Sequence, residues 1–267
     1  MSDIFELRSG DSPLLVAMPH VGTQIPEDIA ARMTPEALQL ADTDWHVDTL
    51  YAAALLPGCS VLRAKLSRYV VDLNRAPDDS AMYAGQANTG LVPQLSFDGS
   101  PLYREGELPD AAETVQRREQ YWRPYHDALR TELERIRARC GWAVLWDAHS
   151  IRSQVPRLFA GTLPDLNFGT YDGASCAPSF SNAIMSVANA QTRYSTVLNG
   201  RFKGGYTTRH YGQPPQGIHA MQLELCQHCY LETEASPFAV SETKRARLAE
   251  TIGVLLNEAA QWKPEAM

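Results

Sequence analysis

The chain has 267 residues, 44% hydrophobic and 21% charged, so it can bury a core of α/β domain size and is neither disordered throughout nor a fibrous repeat. Its formal net charge is −7 and no lysine- or arginine-rich run provides a basic footprint, which excludes DNA and RNA as expected partners. No stretch approaches the roughly twenty apolar residues of a membrane span, the opening MSDIFELRSG is acidic and unlike an export signal, and five irregularly spaced cysteines suit reduced thiols; a cytoplasmic protein with no membrane partner is expected, of unspecified oligomeric state.

In chain order, LLVAM at 14–18 is a short apolar run that stops at Pro19, and it reads as a strand buried on both faces with His20 at its end. ADTDWHVDTLY follows at 41–51, with Asp42 and Asp48 read as the acidic N-terminus of an apolar helix. SVLRAKLSRYVVDLN at 60–74 holds two β-rich stretches, the second being RYVVDL, which ends at Asn74 and Arg75 before a Pro-Asp-Asp turn. From Asp110 to Cys140, Val115, Tyr121, Trp122, Tyr125, Leu129, Leu133 and Ile136 recur at helical spacing, and Gly141 ends the run, which predicts one long amphipathic helix. WAVLW at 142–146 is again a strand, followed by Asp147, His149 and Ser150. Residues 156–177 read as a long Gly/Pro/Asp loop, SFSNAIMSVANAQT as a helix, STVLN and AMQLEL as strands, and the tail from Ser241 as a helix. Between those two strands GRFKGGYTTRHYGQPPQG lacks the helix of a phosphate loop and reads as a mobile lip, with Arg209 and His210 as substrate contacts.

Strands alternating with helices imply one α/β domain over 1–267, a mixed and mostly parallel sheet with helices on both faces. Ligands bind beyond the carboxyl ends of such strands, and His20, Asn74/Arg75, Asp147/His149 and Glu224 all fall there or just inside. Two neutral imidazoles, His20 and His149, with the Asp44 carboxylate make a three-ligand zinc site, and Asp147 and Ser150 flank His149 as groups that orient it. Gly22 lets backbone approach whatever His20 binds. Glu224, inside an apolar run, is the candidate general base, against the alternative of a solvent-facing edge carboxylate. Arg75 suits a substrate carboxylate, against the alternative of a surface ion pair with Asp78 or Asp79; Arg157 and Arg209, with Arg68 and Arg152, are further candidates for an anionic substrate with two carboxylates. Cys226 and Cys229 form a C-x-x-C pair, but no second pair and no βαβ context accompany it, so plain structural thiols are preferred over a redox or zinc role.

The segments PHVGTQIP, ADTDWHVDTLY, RYVVDLNR, DAHSIRS, GGYTTRHYGQP and HAMQLEL, in this order, resemble the N-formylglutamate deformylase family of histidine degradation, and DLNR is similar to the corresponding motif of aspartoacylases and zinc carboxypeptidases. The resemblance implies a zinc-carboxypeptidase-like α/β fold, one divalent metal, expected to be Zn²⁺, and hydrolysis of N-formyl-L-glutamate to formate and L-glutamate. It supports His20 and His149 as ligands, Glu224 as base and Asn74 with Arg75 as carboxylate binders. It departs at the third ligand: carboxypeptidase relatives carry Glu three residues after the first His, where this chain has Thr23 followed by Gln24, and Asp44 is inferred in its place. The competing readings are hydrolysis of another N-acyl amino acid or a γ-glutamyl peptide, or a non-catalytic binder of acidic metabolites.

Overall fold

The computed structural model describes residues 4–80 and 89–264. Its elements are β1 (Phe5–Arg8), β2 (Leu14–Met18), α1 (Glu27–Ala30), α2 (Val47–Ala54), β3 (Ser60–Ala64), α3 (Ala111–Arg117), α4 (Arg123–Cys140), β4 (Ala143–Ile151), β5 (Leu166–Gly169), α5 (Pro178–Ala190), β6 (Thr196–Leu198), α6 (Tyr206–Tyr211), β7 (Ile218–Cys226) and α7 (Glu242–Gln261). The strands form one seven-stranded sheet in the order β1-β3-β2-β4-β7-β5-β6. The central four, β3, β2, β4 and β7, run parallel, while β1 and β5 pair antiparallel to β3 and β7. The expected mixed, mostly parallel architecture is therefore present, and no helix among the described residues is long and apolar enough to cross a membrane.

Alternation along the strands sorts side chains between two cores. Val144, Trp146 and Ala148 of β4 with Met221 and Leu223 of β7 face the layer of Leu50, Phe180 and Leu256, from α2, α5 and α7. Ala143, Leu145 and Ala220 face Tyr125, Leu129, Leu133 and Ile136 of α4. By the same parity Asp147, His149, Gln222 and Glu224 belong to the α4 face, at the end of the sheet where α4 begins and its cover runs out. That is where the polar residues of the site gather.

The predicted long helix is two helices joined by a π-turn, Arg118–Trp122, capped at its start by the Asp110 carboxylate accepting from Glu113 N at 2.8 Å and ended by Gly141 at φ 89°. The extra residue in that turn lets Trp122 Nε1 donate to Arg75 O (3.0 Å) and Arg118 donate to Pro77 O (3.2 Å). Three other expectations are corrected. RYVVDL is a series of turns: Val70, Val71 and Leu73 are buried as in a strand, but the backbone is satisfied locally, with Val70 N donating to Ser67 O and the Asp72 carboxylate accepting from Asn74 N. The expected loop at 156–177 contains β5, held antiparallel to β7. The glycine-rich segment contains the helix α6, packed against β7 and β4.

Candidate active site

His20 stands two residues beyond β2, and its carbonyl accepts the amide of Asp44 at 3.0 Å, which hangs the Asp44 turn on the His20 backbone. His46, in the left-handed region at φ 59°, then turns the chain into α2. His149 lies inside the last residues of β4, directly across from Glu224 on β7. Three elements thus deliver His20, Asp44 and His149 to one buried spot, where one donor atom from each lies within 4.8 Å of the others.

Each imidazole is oriented by a carboxylate. His20 Nε2 is 2.8 Å from Asp72 Oδ1 and His149 Nε2 is 3.0 Å from Asp147 Oδ1. A proton on each Nε2 satisfies those carboxylates and leaves both Nδ1 atoms turned to Asp44, 3.8 Å from His20 Nδ1 and 3.1 Å from His149 Nδ1. His20 Nδ1 and Asp44 Oδ1 are buried without a hydrogen-bond partner. Such orphaned acceptors are costly unless a cation meets them. Two imidazoles and one carboxylate also match the ligand chemistry of a borderline divalent ion, so the residues present fit a metal.

Burial opposes charge on His149, but Asp147 and Asp44 outweigh it and hold this imidazole well above its ordinary value. Burial and the neighbouring Arg68 push His20 the other way, against the pull of Asp72. Asp72 is a hub: it also takes a hydrogen bond from Arg68 at 2.8 Å, and although burial works against it, Arg75, Arg68 and His20 hold its carboxyl well below the usual range.

Glu224 is buried and accepts from Gln222 Nε2 at 3.1 Å, which excludes the solvent-facing alternative. Burial raises its pKa, His149 opposes this and Asp44 adds to it. It borders a cavity of about 80 Å³ whose wall also carries His20, Arg68, Arg75, Arg201 and Phe97.

Arg75 is partly buried and aimed by Thr89, which accepts from its Nε and Nη2 at 2.8 Å each. Asn74 borders the cavity and its Oδ1 accepts from Thr207 N (2.9 Å), which braces α6; its Nδ2 lies 3.1 Å from His149 Nε2, a contact that is not a hydrogen bond while that nitrogen carries the proton shared with Asp147. Arg157 and Arg209 stand outside the cavity lining: Arg157 donates to Ser96 O (3.2 Å) beside Asp79 and Gln94, and Arg209 donates to Gly204 O (2.8 Å) with its guanidinium 4.8 Å from the Tyr171 ring. Arg68 and Arg201 line the cavity instead; Arg201 follows β6 by three residues, a position near a strand end that was not among the sequence candidates. Ser150 points to the opposite face and accepts from Tyr230, so Asp147 alone of the two flanking residues orients His149. Asp42 does not cap α2 but is buried, accepting from Tyr69 Oη and Phe97 N. Gly22 packs on the backbone of Lys65 and Leu66, where a Cβ would come within 2.2 Å of Leu66 O, so its role is close chain packing.

The family profile described as N-formylglutamate amidohydrolase matches residues 12–231. The chain is 49% identical over 261 residues to an N-formylglutamate deformylase of Pseudomonas putida, covering 98% of this chain and 96% of that protein. It is 50% identical over 258 residues to one of Pseudomonas aeruginosa, covering 97% and 95%. The fold is similar to the crystal structure of N-formylglutamate amidohydrolase from Ralstonia eutropha, with a TM-score of 0.80, 25% identity and coverage of 97% and 98%. A gene product from Agrobacterium tumefaciens shares the fold at a TM-score of 0.72 and 18% identity over 97% of this chain and 95% of that one.

Proposed function

Because the chain belongs to the N-formylglutamate amidohydrolase family, we propose that it hydrolyses N-formyl-L-glutamate to formate and L-glutamate in histidine degradation, using one divalent metal, zinc by preference, held by His20, Asp44 and His149. The observation that carries this reading is the convergence of three buried donors, two with unpartnered atoms, beside a buried glutamate and three arginines. Bound there, a divalent ion supplies Lewis acidity, acidifying water and polarising the formyl carbonyl.

The chain's own groups do the rest. Glu224 takes a proton from the attacking water as the oxygen bonds to the formyl carbon. It then delivers that proton to the amide nitrogen as the C–N bond breaks, releasing formate and the amine of glutamate. Burial makes the Glu224 carboxylate a better proton acceptor than an exposed one, which suits both steps. Arg68, Arg75 and Arg201 place three guanidinium groups on a wall that a dicarboxylate substrate meets with two anionic ends. Asp72 and Asp147 keep the two imidazoles in the tautomer that presents Nδ1.

On this reading the site takes a one-carbon acyl group, and an added methyl group is expected to cost roughly 10- to 200-fold in kcat/KM. The test is formate release from N-formyl-L-glutamate by chelated and zinc-reloaded enzyme, alongside the N-acetyl compound. Zinc-dependent release that Glu224→Gln lowers by a factor on the order of 10² to 10⁴ is expected. Release equal in chelated and reloaded enzyme would overturn the metal, and no release from either would overturn the substrate.

A further inference from the structure

Beyond the first cluster, the turn that follows β7 carries the C-x-x-C pair that the proposed reaction leaves unused. We propose that Cys229 Sγ, His228 Nε2 and Asp165 Oδ1 form a second, exchangeable site for a thiophilic divalent cation such as Zn²⁺, independent of the catalytic cluster. These atoms converge: Sγ is 3.5 Å from Asp165 Oδ1 and 3.6 Å from His228 Nε2, and Nε2 is 2.7 Å from the same carboxylate oxygen. A tetrahedral ion bound at ~2.3 Å from sulfur and ~2.1 Å from nitrogen and oxygen separates sulfur from either partner by about 3.6 Å. Both sulfur distances already meet that figure. Only the imidazole–carboxylate pair must open, by roughly 0.7 Å, as the ion replaces the proton that now links them.

The surroundings are those of a built site. Asp165 is aimed by Ser195, whose N–H (2.8 Å) and Oγ (2.7 Å) both donate to Oδ2 and leave Oδ1 facing the cluster. Glu234 stands 3.7 Å from the other nitrogen of His228, and the His228 amide donates to it at 2.8 Å. A carboxylate thus lies on the far side of the imidazole, as Asp72 does for His20 and Asp147 for His149, although at 3.7 Å rather than the 2.8 and 3.0 Å of those hydrogen bonds. Cys226 is turned aside, its Sγ 3.1 Å from Pro164 O, so Cys229 alone of the pair presents sulfur. Cys229 is buried whereas the His228 side chain is 43% exposed, which gives an ion a path in from solvent.

Binding displaces the Sγ proton of Cys229 to solvent and frees the Nε2 lone pair of His228, with the remaining imidazole proton on Nδ1 toward Glu234. Affinity therefore rises with pH.

Cobalt(II) titration of the metal-stripped full chain decides the matter, because a sulfur-to-cobalt charge-transfer band requires a thiolate and the His20–Asp44–His149 cluster has none. Two equivalents are expected in the wild type, one of them accompanied by the band. Cys229→Ser should lose the band and one equivalent, and half-exposed His228→Gln should lose the band at the cobalt concentration that saturates the wild type, with the fold checked by circular dichroism. A wild type without the band at saturation, or a band that persists in Cys229→Ser, overturns the site. If Cys229→Ser does not fold, His228→Gln alone decides: an unchanged band overturns the proposal. Failure of the first cluster removes the other equivalent and leaves the band in place, so the two readings fail separately.

Discussion

Asp72 was not among the residues singled out from sequence, yet it bonds His20, Arg68 and the Asn74 amide from a fully buried position. Asp72→Asn leaves Arg68 buried without its full counter-charge and frees the His20 tautomer. Breaking a buried pair of this kind costs about 3–5 kcal/mol, and loosening a ligating imidazole costs about 10- to 100-fold in metal affinity. Urea unfolding of the metal-free protein and competitive zinc titration read the two effects separately, and an unchanged zinc affinity would show that Asp72 serves packing alone. His20 and His149 were legible because a polar residue at the end of an apolar run stands out in sequence, whereas Asp44, inside a dense polar segment, was inferred only as a third donor for the same proposed site. Asp72 was hidden inside RYVVDL, where its neighbours Val70, Val71 and Leu73 are as buried as strand residues. Arg157 stood out by charge and Arg209 by charge and its place in the Gly-rich segment, and neither carries information about the direction in which a guanidinium points.

Among the elements, periodicity located the inner strands and the long helices, since each buries one side against a neighbour. It missed β5, whose four residues end in glycine inside a loop-like composition, and α6, whose six residues are too few to show a period. α6 is nevertheless fastened to the site. A Cβ on Gly205 would come within 2.2–2.4 Å of the Asn74 amide, itself held by Thr207 N. Gly205→Ala should cost about 1–3 kcal/mol through overpacking and lower activity with it. Thermal unfolding together with steady-state kinetics checks this, and a variant with wild-type kinetics would mean that α6 shifts without moving Asn74.

Across the whole molecule, the layer of β7, α5 and α7 contains an acid-sensitive joint. His219 accepts the Ala177 amide at 3.1 Å where α5 begins, and its ring lies edge-on 4.7 Å from Trp262 at the end of α7. Burial pushes its pKa down to about 4 from an ordinary 6.5. Between those values the unfolded chain binds the proton and the folded chain does not, so this contribution is full above pH 6.5 and is lost as pH falls through 4. His219→Gln should be less stable at neutral pH and show a flatter decline over that window in urea midpoints; a parallel decline would place the acid sensitivity elsewhere.

The pairing of His149 with Glu224 across β4 and β7 also limits how this gene can change length. Deleting one codon between Ala143 and Trp146 turns Asp147 and His149 toward the α2, α5 and α7 core, and deleting two restores the face but draws the imidazole back by roughly 6.6 Å. Neither deletion is expected to leave an active enzyme. Insertions and deletions tolerated among relatives should therefore collect outside these two strands, which an alignment of many such chains would show as gap-free columns from Ala143 to Ile151 and from Ile218 to Cys226.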